Sequence, residues 1–229
     1  MEGAWFKKTG NLVSLSAEQI VDCFKDDGQG DQLWMSGGCT GGEMSQGIEY
    51  VIRTGKCWLE SDPLSTFAYC IVNILSVHHF LWFETGYIDT EESYPYKGVN
   101  SNFICKPEEG VKGAFFQKVV KVPASEEALK IAVATQGPIS VGINVDDSFK
   151  DFGFRFHNGS VYYGTECKPD FESGNHGVAV VGYGTEDGKD YWLVKNSWGS
   201  DWGEEGYIKM ARNKNNNCGI ATDACYAVV

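Results

Sequence analysis

Five short runs rich in β-branched and aromatic residues crowd the C-terminal half of this chain. They are ISVGINV at 139–145, SVYY at 160–163, VAVVGY at 178–183, YWLVK at 191–195 and YIKMA at 207–211. Gly-rich turns separate them, which predicts an antiparallel β half. The N-terminal half carries a helical period instead. Ser16, with Gln19 three residues on, predicts a capping box opening a short helix through Cys23. Met44, Ile48, Val51 and Ile52 keep an apolar stripe that stops at Gly55, a suitable residue just past a helix end. Ser125 caps another helix, with Glu126 and Glu127 in its first turn and Gly137 beyond its end. Helices first and strands later make an α+β chain.

Composition narrows the function. The length of 229 residues allows one or two domains with a real core. A net charge of −12 argues against nucleic acid or an anionic membrane as partner, since both want a basic patch. Eight cysteines without a CxxC pair argue against a zinc site or a thioredoxin-type motif, and point to structural disulfides and the secretory or endolysosomal route. The N-terminus has no apolar core of the kind a signal peptide needs. Trp5, Phe6, Leu12 and Leu15 want burial from the outset, so the chain reads as starting inside a domain.

Two blocks carry chemistry: NHGVAVVGYG at 175–184 and YWLVKNSWGSDWGEEGY at 191–207. Thiol catalysis needs a thiolate and an imidazole within hydrogen-bond reach, and a third group to orient the ring. These blocks, with WFKKTGNLVSLSAEQIVDC, CTGGEM, YIDTEESYPY, LKIAVATQGPISVGI and CGIAT, resemble the papain family of cysteine proteases, within it the cathepsin L-like group. The resemblance implies a helical domain over 1–112 and a β-barrel-like domain over 113–229, with the active-site cleft between them. It implies hydrolysis of peptide bonds, no cofactor or metal, a monomer, a peptide or protein substrate and a lysosomal or secreted location.

Residue by residue, the resemblance makes His176 the catalytic base, Asn196 the group that orients its ring and Trp198 the indole that shields their hydrogen bond. Asn in that role orients the imidazole without adding a second negative charge to the thiolate–imidazolium pair. The family's nucleophile block, C-G-[SA]-C-[WY], has no match in the sequence, and by motif order it would lie about ten residues before Met1. Cys57-Trp58 imitates its end but follows a helix-ending glycine and comes after blocks that should succeed the nucleophile. The expectation is an endopeptidase by family that is inactive as these residues alone; the alternative is a non-catalytic binding or regulatory protein of the same fold.

The resemblance pairs Cys23 with Cys105 and Cys167 with Cys218, and leaves Cys39 without its partner. The absence of the nucleophile helix should leave Cys39, Met44 and Ile48 facing a void or water. For substrate, it places Gly41 and Gly42 as backbone partners of an extended peptide. Met44, Gly142, Gly174 and Asp223 then wall the main specificity pocket, with Glu43 beside it and Asn175 next to the catalytic His. Cathepsin L-like enzymes usually have small or apolar residues where Glu43 and Asp223 stand. Two acids there imply tolerance for a basic side chain beside the usual apolar one; the equal alternative is that both acids point to solvent.

Residues 55–85 interrupt the family pattern between Arg53-Thr54 and Gly86. Gly-Lys-Cys can be encoded with a splice-donor consensus and Thr85-Gly86 with an acceptor, and excision restores RTGYIDTEESYPY. A retained intron is the reading; the alternatives are a true family-specific loop or a membrane segment, for which the apolar run at 67–83 is short and interrupted by Asn73, His78 and His79. Asn158-Gly159-Ser160 matches a glycosylation site.

Overall fold

The computed structural model describes residues 1–24, 41–53, 86–98, 104–106, 110–145, 152–157 and 159–229. Cys39, Cys57, Cys70, Asn158 and the segment 55–85 lie outside the described residues. In chain order come α1 (Glu2–Thr9), α2 (Ala17–Cys23), α3 (Met44–Arg53), β1 (Gly86–Asp89), β2 (Lys112–Phe116) and β3 (Lys118–Lys121). Then follow α4 (Glu126–Gln136), β4 (Ile139–Ile143), α5 (Phe152–Arg155), β5 (His176–Glu186), β6 (Lys189–Lys195), β7 (Tyr207–Ala211) and β8 (Asp223–Val228). The α+β expectation holds.

Contacts divide the chain into two compact units. One holds Met1–Leu12, Gly42–Gln46 and Val119–Val228; the other holds Val13–Gly41, Gly47–Lys118 and Val229. The division is discontinuous in sequence, unlike a single cut before Gly113. Helix α1 groups with the C-terminal segments because Lys7 donates to the carbonyl of Thr135 at the end of α4. Gly3 also lies so close to Pro138 that an added Cβ would sit 2.9 Å from its ring. Neither Phe6 nor Leu12 is buried, against expectation, since no residue of α1 reaches the core.

The first unit is built on a six-stranded sheet in the order β3-β8-β4-β5-β6-β7. The sheet is open; the described strands do not close into a barrel. Alternation in β4 sends Ile139, Val141 and Ile143 inward, each fully buried, while Ser140 and Gly142 face the other way. Val180 in β5, Trp192 and Val194 in β6, and Ile208 and Met210 in β7 complete that core with Leu129 of α4. Helix α4 starts as the sequence predicts: the Ser125 hydroxyl accepts from Ala128 N at 3.1 Å, and Gly137 ends it with φ 102°. SVYY at 160–163 forms no strand, only a bridge from Tyr162 to Met210.

The second unit centres on the β1–β2 hairpin and α2. Ser16 caps α2 by accepting from Gln19 N at 2.9 Å, but the capping box is half made. The Gln19 side chain turns away and accepts from Asp89 N at 2.6 Å, while Ser16 N donates to Asp89 O. Strand β1 has therefore taken both partners. Tyr94 donates to Asp22 at 2.9 Å, and Cys23 is disulfide-bonded to Cys105. Ile48, expected to face a void, is buried with Val51 and Ile52. At the preceding residue, a Cβ on Gly47 would lie 3.5 Å from Ile20 of α2, so this turn of α3 runs close to α2.

Candidate active site

Strand pairing delivers the two blocks to one place. His176 opens β5 opposite Ile143 of β4, and Asn196 directly follows β6, whose Lys195 pairs with Ala179. A bulge between Val180 and Gly182 shifts the β5–β6 register by one residue. On the His176 side of that bulge the Ala179–Lys195 pair puts Asn196 level with Val178, which shares a strand face with His176. Their side chains meet at 2.9 Å, His176 Nε2 to Asn196 Oδ1.

The partners of Asn196 determine the tautomer. Its Oδ1 also accepts from Ser197 N at 2.7 Å, which identifies the oxygen, and its own backbone N–H is held by Gly206 O. An oxygen acceptor requires Nε2 of His176 to carry the proton. Nδ1 of the neutral ring is then left as the lone-pair nitrogen, the atom that can take a proton from a thiol. Asn196 is buried, so this hydrogen bond is screened from water.

Aromatic rings hold the imidazole from the side. Trp198 lies 5.1 Å from the His176 ring centroid at 36°, and Phe154 lies 6.2 Å away at 84°. Trp202 packs on both Phe154 and Trp198 at 5.3 Å and donates its indole N–H to Arg155 O. Phe154 and Trp202 are site residues the sequence reading missed. The Trp-x-x-x-Trp spacing of NSWGSDWG offered a signal for Trp202, while nothing local marks Phe154.

The residues expected to wall a pocket gather on the opposite face of the same strands. Gly142 pairs with Gly177 of β5 on one side and with Asp223 of β8 on the other. Met44 crosses this row: a Cβ on Gly142 would lie 3.8 Å from Met44 Cε and from Asp223 Oδ2, and one on Gly177 would lie 3.9 Å from Met44 Sδ. The two glycines leave this face open between Met44 and Asp223. Gly177, absent from the expected set, belongs to it. Glu43 stands beside it, its carboxylate 2.7 Å from Lys121 Nζ and also accepting from the Ser45 hydroxyl.

The remaining expected residues fall into place differently. Asn175 spends its side chain on the Val145 backbone, accepting from its N at 2.8 Å and donating to its O at 2.7 Å. That pairing extends the β4–β5 ladder and fixes the side chain against the Val145 backbone. Gly174 closes a short turn by donating to Phe171 O. Gly41 and Gly42 are exposed just ahead of α3, with Gly41 at φ 104°. Cys167 and Cys218 are disulfide-bonded against Gly164, where a Cβ would lie 2.3 Å from Cys167 Sγ.

The family's sequence profile, papain family cysteine protease, matches residues 1–71 and 74–228. The chain belongs to the papain family of cysteine proteases. It is 41% identical to digestive cysteine proteinase 3 of Homarus americanus, over all of this chain and 57% of that protein. It is also 41% identical to cathepsin L of Sarcophaga peregrina, over all of this chain and 55% of that one. The chain thus spans about half the length of the curated relatives it matches. Among solved structures, digestive procathepsin L 3 of Tenebrio molitor superposes with a TM-score of 0.71 at 31% identity, over all of this chain and 60% of that one. Bromelain from Ananas comosus superposes equally well, at 29% identity over 84% of its length. The cathepsin L-like, papain-like assignment stands. No helix among the described residues is long and apolar enough to cross a membrane.

Proposed function

We propose that this chain supplies the base, the orienting amide and the main substrate pocket of a cathepsin L-like cysteine endopeptidase. The His176–Asn196 hydrogen bond carries the reading. It fixes a protonated Nε2, leaving Nδ1 to draw the proton from a thiol and to return it to the leaving amine. Asn196 holds the ring without placing a carboxylate beside the imidazolium, so the ion pair with the thiolate is not weakened by a competing negative charge. Trp198, Phe154 and Trp202 restrict the ring and keep water off the hydrogen bond.

Met1 to Val229 contain no C-G-[SA]-C-[WY] block. On this reading the thiolate is supplied by residues other than these, and the 229-residue chain by itself is proposed not to turn over peptides. The row Gly177–Gly142–Asp223 beneath Met44 suits one side chain of an extended peptide, apolar along Met44 and basic at its tip toward Asp223. Two disulfides fit an oxidising, secretory-route or lysosomal location.

The test is hydrolysis of fluorogenic dipeptide amides at mildly acidic pH by the chain joined to a family-type N-terminal block and lacking residues 55–85. Turnover blocked by thiol reagents is expected. Full turnover after His176→Ala, or thiol-sensitive turnover by the 229 residues alone, would sink the assignment.

A further inference from the structure

The face formed by Gly177, Gly142 and Asp223 carries two carboxylates, and they are not equivalent. Glu43 is paired: Lys121 at the end of β3 lies 2.7 Å from its Oε1, and the Ser45 hydroxyl donates to the same atom. The Glu43 side chain is only 15% exposed whereas that of Lys121 is 63% exposed, so the carboxylate is sheltered and its partner lies in solvent. Asp223 differs. Among the described residues no hydrogen-bond donor reaches its carboxylate, although it is partly accessible beside Met44 and the open Gly142.

The sheet brings these charges together. β3 lies next to β8 at the sheet edge, and Val122 N donates to Ala224 O, which places Lys121 beside the start of β8. The charged and titratable groups around Asp223 are Glu43 ahead of α3, Lys121 on β3 and Cys225 on its own strand. Glu43 acts on Asp223 as a like charge and Lys121 as an opposite one. One ammonium therefore serves two carboxylates, but it is hydrogen-bonded to only one of them.

We propose that Lys121 is a specificity-determining residue of this pocket: by pairing with Glu43 it withdraws that carboxylate from the ligand's field and leaves Asp223 as the single acid that meets a basic side chain. This rests on the reading of the pocket given under Proposed function. Lys121 tunes the balance between apolar and basic side chains without touching either. With it, the pocket presents one unpaired negative charge above an apolar wall. Without it, Glu43 is released and the pocket presents two. If instead Glu43 is removed, the ammonium is free to turn to Asp223 and the pocket presents none.

The opposite signs of those two outcomes make the test. The probes are N-acetyl-arginine N-methylamide and N-acetyl-leucine N-methylamide, titrated into the 229-residue chain with binding followed by the methyl resonance of Met44. Lys121→Met, and Lys121→Gln as a second variant, should raise the arginine-to-leucine affinity ratio about two- to fivefold, the size of a solvent-screened charge pair. Glu43→Gln should lower the ratio by a similar factor, and Asp223→Asn should abolish the arginine preference with Lys121 in place. A ratio unchanged by both Lys121 variants while the probes still bind would overturn this proposal alone. Failure of either probe to move the Met44 methyl in any variant would overturn it together with the pocket reading.

Discussion

The indole of Trp198 lies 5.1 Å from the imidazole of His176, its plane inclined by 36°. The contact is a consequence of register, because the β5–β6 pairing that aligns Ala179 with Lys195 carries the segments on either side of it to the same level. Trp198 itself is 43% exposed. A large ring left at the surface yet packed against Phe154 and Trp202 is placed as a cover for the imidazole rather than as core, and that role is testable.

Trp198→Ala should therefore cost little stability, about 1 kcal/mol for the lost ring contacts. It should markedly speed solvent exchange of the His176 Nε2 proton. Trp198→Phe should keep most of the protection. An exchange rate unmoved by the alanine variant would show that the indole does not cover the hydrogen bond.

Residues flanking the segment 54–85 touch one another. An added Cβ on Gly86 would lie 1.9 Å from Val51 O and 2.3 Å from the Ile52 carbonyl, so only glycine fits at the start of β1. The end of α3 and the start of β1 are thus already side by side. Deleting residues 55–85 should preserve the β1–β2 hairpin and raise stability by about 1–2 kcal/mol through loop closure. Thermal melts of the two chains check this; a lower midpoint for the shortened chain would refute it. Sequencing of cDNA across the junction tests the related retained-intron reading.

Cys225 is buried on β8, and its thiol is pushed up to about 12, chiefly by burial and then by Asp223 and Glu43. A thiol so far from ionising is a poor nucleophile. Under native conditions Cys225 should resist iodoacetamide and become labelled only in denaturant, as site-resolved mass spectrometry would report. Rapid native labelling at Cys225 would contradict its placement.

Much of the first unit is legible in the sequence because periodicity and turn chemistry agree there. YIKMA at 207–211 is a strand over that span, and Ser125 and Gly137 bound a helix as their side-chain chemistry requires. Where the reading failed, long-range contacts overrode local signals. Gln19 had the spacing of a capping-box partner, yet Asp89, distant in sequence, claimed its side chain. Asn175 sits beside His176 in sequence, and its side-chain amide is bonded to the Val145 backbone, a partner that no local pattern announces. Lys121 gave no signal at all, since its relation to Glu43 exists only once β3 joins β8 at the edge of the sheet.

The carboxyl of Asp223 is held above its ordinary value, first by burial and then by Glu43, with Lys121 pulling the other way. A raised acid favours its protonated form in the folded state. Its destabilising effect is absent below about pH 4, the ordinary range of a carboxyl, and grows as pH rises through the folded value. Asp223→Asn should therefore stabilise the chain at pH 7 and lose that advantage as pH falls toward 3. A difference in melting temperature that is constant across this range would contradict the sign.

Asn196 tests the proposed mechanism most directly. Its Oδ1 serves two donors, His176 Nε2 and Ser197 N, so Asn196→Ala leaves both without their acceptor in a buried setting. The cost should be about 1–3 kcal/mol of stability. Nitrogen NMR of the imidazole should show a single neutral tautomer, protonated at Nε2, in the parent chain and a mixture in the variant. In the protein joined to a nucleophile block, misorienting the base should cut kcat about a hundredfold with little change in KM, whereas His176→Ala should remove turnover altogether. A tautomer ratio unaffected by Asn196→Ala would mean that something other than this amide orients the ring. Equal losses from the two variants would mean that Asn196 does more than orient it.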